Sequence, residues 1–182
     1  MTRIILTWGL VAGLIIIVGS GASLVLTGGG HHTADTTLGY VLGYLVMLVA
    51  LSSVLVGVRQ YRDRIKGGVV KFLPALGVGL GIALVASIAY VGLWEAYLAV
   101  THYDFIGEYT DQMLAAKRAA GVTGPAYAKA VAKAQEMRAA YANPFIRMAE
   151  TFIEIAPVGL IVALVSALLL RNPRFLPAKT PA

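Results

Sequence analysis

The amino-acid sequence predicts an all-α membrane protein: a four-transmembrane-helix bundle with an extracytoplasmic helical hairpin between spans three and four. Of its 182 residues 58% are hydrophobic and 13% are charged, and the mean hydropathy is +0.77. Soluble domains have about 25% charged residues. Four long apolar segments and one amphipathic stretch account for this composition. The chain, residues 1–182, is therefore expected to form a single membrane domain.

Each apolar segment is close to the roughly 20 residues that an α-helix needs to cross about 30 Å of hydrocarbon. The predicted spans lie at about residues 4–26, 38–58, 72–97 and 146–170. Arg3 and the small residues at 20–22 would also fit a cleaved signal peptide, but the first apolar run is longer than the usual 7–15 residues. The length favours a retained first span.

The residues between spans three and four have helical periodicity. Phe105, Tyr109 and Met113 recur every four positions, and Pro125 suits the first turn of a second helix. We predict an outer helical hairpin at about residues 104–141. Its apolar stripes either pack the two helices on each other and on the membrane surface or form a groove for a partner.

Lys and Arg are divided unequally between the two sides of the predicted bundle. The side with both termini and the turn between spans two and three has nine basic residues and one acid, against six basic residues and eight acids on the other side. Short cytoplasmic loops are rich in Lys and Arg. We therefore expect a multi-pass protein of the bacterial inner membrane with both termini cytoplasmic. Its basic loop would contact anionic lipid, and no nucleic acid is expected as a partner.

The turn between spans two and three has a single acid among basic residues. Asp63 is expected to pair with a neighbouring arginine, Tyr61 to anchor at the membrane interface, and the glycine pair to reverse the chain. The residues of this predicted cytoplasmic turn are Arg59, Tyr61, Arg62, Asp63, Gly67 and Gly68.

The motif YRD, then GG, then a glycine-rich span from Phe72 resembles the bacterial membrane family catalogued as domain of unknown function 4199. The stretches at 105–109 and 137–144 and the last span, which closes on Arg171, agree with it. The resemblance covers roughly residues 38–171. It implies a small integral membrane protein of unassigned function, and it implies no chemistry.

Polar residues collect near the outer ends of spans three and four. At 1.5 Å per residue, Glu154 lies about 24 Å above Leu170 and Glu95 about 33 Å above Leu73, so both belong to an outer-leaflet layer. His102 follows Glu95 by seven residues and would share its helix face. The candidate binding cluster is Glu95, His102, Asn143, Arg147, Glu150 and Glu154.

Two interpretations of this cluster stay open. In the first, Arg147 pairs with Glu95 and Glu154 and docks the last helix against the third, with its guanidinium within about 4 Å of a carboxylate. In the second, the residues form a ligand or cation pocket, helped by Pro157, which frees the carbonyl of Ile153 and predicts a bend.

Glycine and histidine patterns give weaker signals. Small residues four apart allow helices to approach closely, either within the bundle or across a dimer face. The glycine pairs are Gly9 and Gly13, Gly39 and Gly43, and Gly77 and Gly81.

The sequence gives little indication of a metal site. The chain has no Cys, and the adjacent His31 and His32 lie in a glycine-rich turn, where histidines are more typically exposed to solvent than bound to a metal. No metal or cofactor is expected.

Three functions follow from these features. The leading hypothesis is a non-enzymatic membrane protein, a homo-oligomer, that binds lipid or a protein partner through its outer hairpin. The second is a small transporter or channel subunit that uses the outer Glu/Arg cluster. The third is an interfacial enzyme with His102 and Glu95 as an acid–base pair, although the chain has no nucleophile elbow, HExxH or phosphate loop.

Overall fold

The computed structural model describes residues 1–26 and 36–177, with side chains at 1–19 and 41–177, and this part of the chain is helical without strands. His31 and His32 lie outside it. The helices are α1 (Thr2–Leu26), α2 (Thr36–Ile65), α3 (Phe72–Val100), α4 (Phe105–Ala119), α5 (Gly124–Ala142) and α6 (Pro144–Leu170).

Four of these helices, α1, α2, α3 and α6, are long and apolar enough to cross a membrane. This confirms the predicted number of long apolar helices, although all four extend beyond the predicted spans. Their exposed side chains include many large apolar ones, such as Leu10, Val18 and Leu73. Apolar surface of this extent suggests a multi-pass membrane protein.

The chain divides into two compact units, and the first comprises Met1–Tyr90 and Phe152–Ala182. It contains α1, α2 and most of α3 and α6, and α1 packs against α2. Its interior consists mainly of small and branched apolar side chains that can interdigitate closely. Buried examples are Ala12, Leu51, Val54, Val78, Ile82 and Ala163.

Glycines on α1 let this helix approach α3 within the first unit. A Cβ added at Gly9 would lie 2.5 Å from Cβ of Val85, and one added at Gly13 would lie 2.7 Å from Cβ of Ala89. This pair therefore serves packing within the chain, one of the two predicted uses. A Cβ at Gly77 would meet nothing within 4 Å. A dimer face at that glycine stays a prediction.

The second unit, Val91–Thr151, holds the end of α3, helices α4 and α5, and the first turns of α6. Gly121, with φ of 77°, follows the end of α4, and Pro125 lies in the first turn of α5. Helices α4 and α5 pack against each other. The side of the membrane on which they lie stays a prediction.

Candidate functional site

Arg147 is the centre of a hydrogen-bonded cluster in the second unit. Its Nε and Nη2 donate to Oε1 and Oε2 of Glu95, both at 2.7 Å, and its Nη1 donates to the carbonyl of Tyr141 at 2.9 Å. The side chains of Arg147 and Glu95 are 7% and 16% exposed. Two parallel charge-assisted bonds are the strongest form of this contact. The prediction that the Arg147 guanidinium lies within 4 Å of a carboxylate of the candidate cluster is confirmed for Glu95.

Aromatic rings surround the same guanidinium. Its Cζ lies 4.8 Å from the ring centroid of Tyr103 and 5.7 Å from that of Tyr141, which are cation–π distances. The indole Nε1 of Trp94 donates to the Tyr141 hydroxyl at 2.8 Å. Burial raises the pKa of this hydroxyl, and the bond from Trp94 opposes the shift. Tyr141 is therefore a neutral acceptor at physiological pH.

Local backbone structure places these groups. Helix α3 ends at Val100, and His102 and Tyr103 then adopt left-handed conformations with φ of 53° and 61°, which are uncommon outside glycine. Helix α6 begins with Pro144 after Asn143, whose Oδ1 accepts from the backbone N–H of Phe145 at 3.0 Å. Asn143 thus caps α6, a role typical of this residue type. Its side-chain oxygen is therefore engaged by the backbone of α6.

Two further expectations for the cluster need correction. Glu150 and Glu154 are exposed residues, and neither forms an ion pair within the described ranges. For Glu154 the reason is distance along the helix, because its separation of seven residues from Arg147 corresponds to a rise of about 10.5 Å. Glu95, which comes from another helix, takes both of the carboxylate bonds of Arg147.

His102 is exposed, and in the part of the chain that is described no group forms a hydrogen bond with its side chain. Because α3 ends two residues before it, a helical count from Glu95 does not apply. The expected acid–base pair of His102 and Glu95 is therefore not assembled.

Arg138 is the centre of a second set of polar contacts, which was not predicted from the sequence. Its Nε donates to Oγ1 of the buried Thr110 at 2.6 Å, and its Nη2 donates to the carbonyl of Gly107 at 3.1 Å and to Oδ1 of Asp111 at 2.7 Å. Among the described residues these bonds use only Nε and Nη2, so no group in that part of the chain accepts a hydrogen bond from Nη1. The available signal was Thr110, since a hydroxyl on the buried face of a helix needs a partner.

An open cleft of about 490 Å³ lies beside both arginines. Its lining residues are Tyr103, Ile106, Arg138, Tyr141, Ala142, Pro144 and Arg147. Phe145, the next residue after Pro144, is 82% exposed, and the side chain of Arg138 is 42% exposed. The cleft therefore combines guanidinium groups and tyrosines with an adjacent exposed apolar ring.

Comparison with known proteins places the chain in a family. The family model "Protein of unknown function (DUF4199)" matches residues 7–172, which is most of the chain. The chain belongs to this family. The match confirms the resemblance and extends it over the first helix. No curated protein and no solved structure matches the DUF4199 chain.

The predicted cytoplasmic turn of this DUF4199 protein is built around Arg62, whose side chain is fully buried. Its Nε donates to Oδ1 of Asp63 at 2.6 Å, while Nη1 and Nη2 donate to the carbonyls of Phe175 and Leu176 at 2.8 and 2.5 Å. Asp63 also lies 3.5 Å from Nε of Arg59. The expected pairing of Asp63 is confirmed. The link to the C-terminal segment was not predicted. Every residue has a backbone carbonyl, so the sequence does not indicate which carbonyls accept a hydrogen bond from Arg62.

The glycine pair turns the chain after α2, as the sequence predicts. Gly67 and Gly68 have φ of 65° and 93°, and the N–H of Gly68 donates to the carbonyl of Arg62 at 3.0 Å. Tyr61, however, is buried, and Lys66 Nζ lies 5.9 Å from its ring centroid. The expectation that Tyr61 anchors at the membrane interface is wrong in this DUF4199 chain, because the ring is covered by the protein itself.

Proposed function

We propose that this DUF4199 protein is a non-enzymatic, multi-pass protein of the bacterial inner membrane that binds the head of a phospholipid with its outer helical unit. The four long apolar helices support membrane insertion. The unequal distribution of Lys and Arg supports an orientation with both termini in the cytoplasm and α4 and α5 outside.

The cleft between α4, α5 and the start of α6 carries the proposal. Guanidinium groups bind phosphate with paired, directional hydrogen bonds, and Nη1 of Arg138 is available for such a bond. The exposed rings of Phe145 and Tyr103 offer apolar contact to the start of the acyl chains. Tyrosine and tryptophan are enriched at this depth of a membrane because one end of each ring is apolar and the other is polar.

The Arg147–Glu95 pair supports binding more than transport. A transport path needs charges that change partners, whereas this pair is satisfied by two short bonds and by the carbonyl of Tyr141. In the proposed function Arg147 is a positioning residue that holds Tyr103 and Tyr141 at the wall of the cleft. Assembly into a homo-oligomer stays a prediction.

Arg138→Gln is expected to lower phospholipid retention by the purified protein about tenfold, the loss expected for one charge-assisted hydrogen bond. The measurement is native mass spectrometry of the full chain in a mild detergent, with the number of retained phospholipids as the readout. Arg118→Gln is the matched control, since Arg118 lies at the end of α4 over the Tyr127 ring and does not line the cleft. It is expected to retain lipid as the parent does.

A second variant separates loss of binding from loss of folding. Ala142 is exposed and lines the cleft, so Ala142→Phe should fill the cleft while leaving both arginines in place. We expect the same loss of lipid with an unchanged unfolding midpoint. Full retention by both Arg138→Gln and Ala142→Phe would contradict a lipid site in this cleft.

A further inference from the structure

The end of the first unit that carries the α2–α3 turn is strongly basic. Residues 59–71 and 171–177 contain seven Lys or Arg and one acid, Asp63. That acid is already bound to Arg59 and Arg62. The exposed basic side chains are Arg64, Lys66, Lys71, Arg171 and Arg174. Their charge is not neutralised by any acid within these two described segments.

Arg62 joins the two segments. By binding the carbonyls of Phe175 and Leu176, its guanidinium holds the C-terminal segment at the end of α2. Asn172 folds that segment into a compact turn. Its side-chain Oδ1 accepts a hydrogen bond from the backbone N–H of Arg174 at 3.0 Å, and its backbone carbonyl accepts one from the N–H of Phe175 at 3.1 Å. The C-terminal arginines are therefore held at the same end of the unit as the basic turn.

Exposed apolar side chains alternate with these basic residues. Ile65, Val69, Leu73 and Leu176 are all exposed. An alternation of Lys or Arg with exposed aliphatic residues is typical of the boundary between lipid headgroups and acyl chains, where the apolar parts enter the hydrocarbon and the charges reach the phosphates.

We infer that Arg62 assembles the α2–α3 turn and the C-terminal segment into one surface that binds anionic phospholipid headgroups. The shared chemistry is phosphate bound by several Lys and Arg, and the apolar residues between them favour a lipid over a free anion. The surface rests on the membrane location proposed above and is independent of the Arg138 cleft. The sequence predicts contact of the basic turn with anionic lipid. The proposed surface adds Arg171 and Arg174 to that turn, and Arg62 as the residue that holds their segment in place.

The experiment measures affinity of the full chain in a neutral detergent for phosphatidylglycerol and phosphatidylcholine, by native mass spectrometry. Near a membrane surface one Lys or Arg contributes about a fivefold change in affinity for anionic lipid. Arg171→Gln/Arg174→Gln should therefore weaken phosphatidylglycerol binding about 25-fold and leave phosphatidylcholine binding unchanged. Lys129→Gln/Lys133→Gln, two exposed lysines on α5, is the charge-matched control and should change neither affinity.

Arg62→Gln tests the assembly itself. It removes one buried charge and frees the C-terminal segment, so phosphatidylglycerol binding should fall as far as in the Arg171/Arg174 variant. If the Arg171/Arg174 variant, in which only exposed residues change, binds phosphatidylglycerol like the control, the C-terminal segment is not part of the surface. Displacement of phosphatidylglycerol by an equal concentration of inorganic phosphate would assign the surface to a free anion and overturn the lipid proposal. If phosphatidylglycerol affinity falls only in Arg138→Gln and in neither the Arg62 nor the Arg171/Arg174 variant, this surface does not bind the lipid.

Discussion

Arg147→Ala is expected to destabilise the protein by about 3 kcal/mol, because it leaves the largely buried Glu95 carboxylate without its cation. The substitution also removes the bond to the Tyr141 carbonyl and the cation–π contacts with Tyr103 and Tyr141. The measurement is the free energy of unfolding of the detergent-solubilised protein. A change within about 0.5 kcal/mol, as for an ordinary surface residue, would contradict the role assigned to Arg147.

A double-mutant cycle separates the ion pair from general loss of packing. Arg147→Ala with Glu95→Gln removes both charges, so it should recover part of the stability that the single substitution loses. Glu154→Gln with Arg147→Ala is the matched control, because Glu154 is exposed and forms no ion pair with any described residue. If Glu154→Gln restores stability to Arg147→Ala and Glu95→Gln does not, Glu154 and not Glu95 is the ion-pair partner of Arg147.

Arg62→Ala is expected to cost about 3–5 kcal/mol, the range for breaking a buried ion pair by removing one partner. The side chain is fully buried, and its loss removes the donor to the carbonyls of Phe175 and Leu176 and the shorter of the two ion pairs of Asp63, which keeps Arg59 at 3.5 Å. The C-terminal segment should then become the first site of cleavage in limited proteolysis.

Arg64→Ala is the control for that substitution. Arg64 lies two residues away and is exposed, so its removal should change stability by less than about 0.5 kcal/mol. Equal effects of Arg62→Ala and Arg64→Ala, or an unchanged proteolysis pattern in Arg62→Ala, would show that Arg62 does not hold the segment.

The sequence was informative where one physical effect dominates. Hydrophobic length alone predicts four long apolar helices, and positive φ is expected at Gly67 and Gly68, where the chain must turn. The Arg147–Glu95 contact was also predictable, because two unlike charges at one depth in an apolar environment favour pairing.

The missed features depend on contacts that periodicity does not record. Counting along a helix placed His102 beside Glu95, but α3 ends at Val100 and the count fails there. The bonds of Arg138 to Thr110 and of Arg62 to two carbonyls join residues 28 and more than 100 positions apart. Such contacts are set by tertiary packing, and backbone acceptors are the same at every residue.

The measurement that tests the account most directly is cysteine labelling in intact cells, because both lipid sites require a membrane-spanning chain with α4 and α5 outside. The natural chain has no Cys, and Thr123 and Lys66 are both exposed. Thr123→Cys should react with a membrane-impermeant thiol reagent, and Lys66→Cys should react only after the cells are opened. Labelling of Lys66→Cys in intact cells, with Thr123→Cys protected, would contradict the proposed orientation.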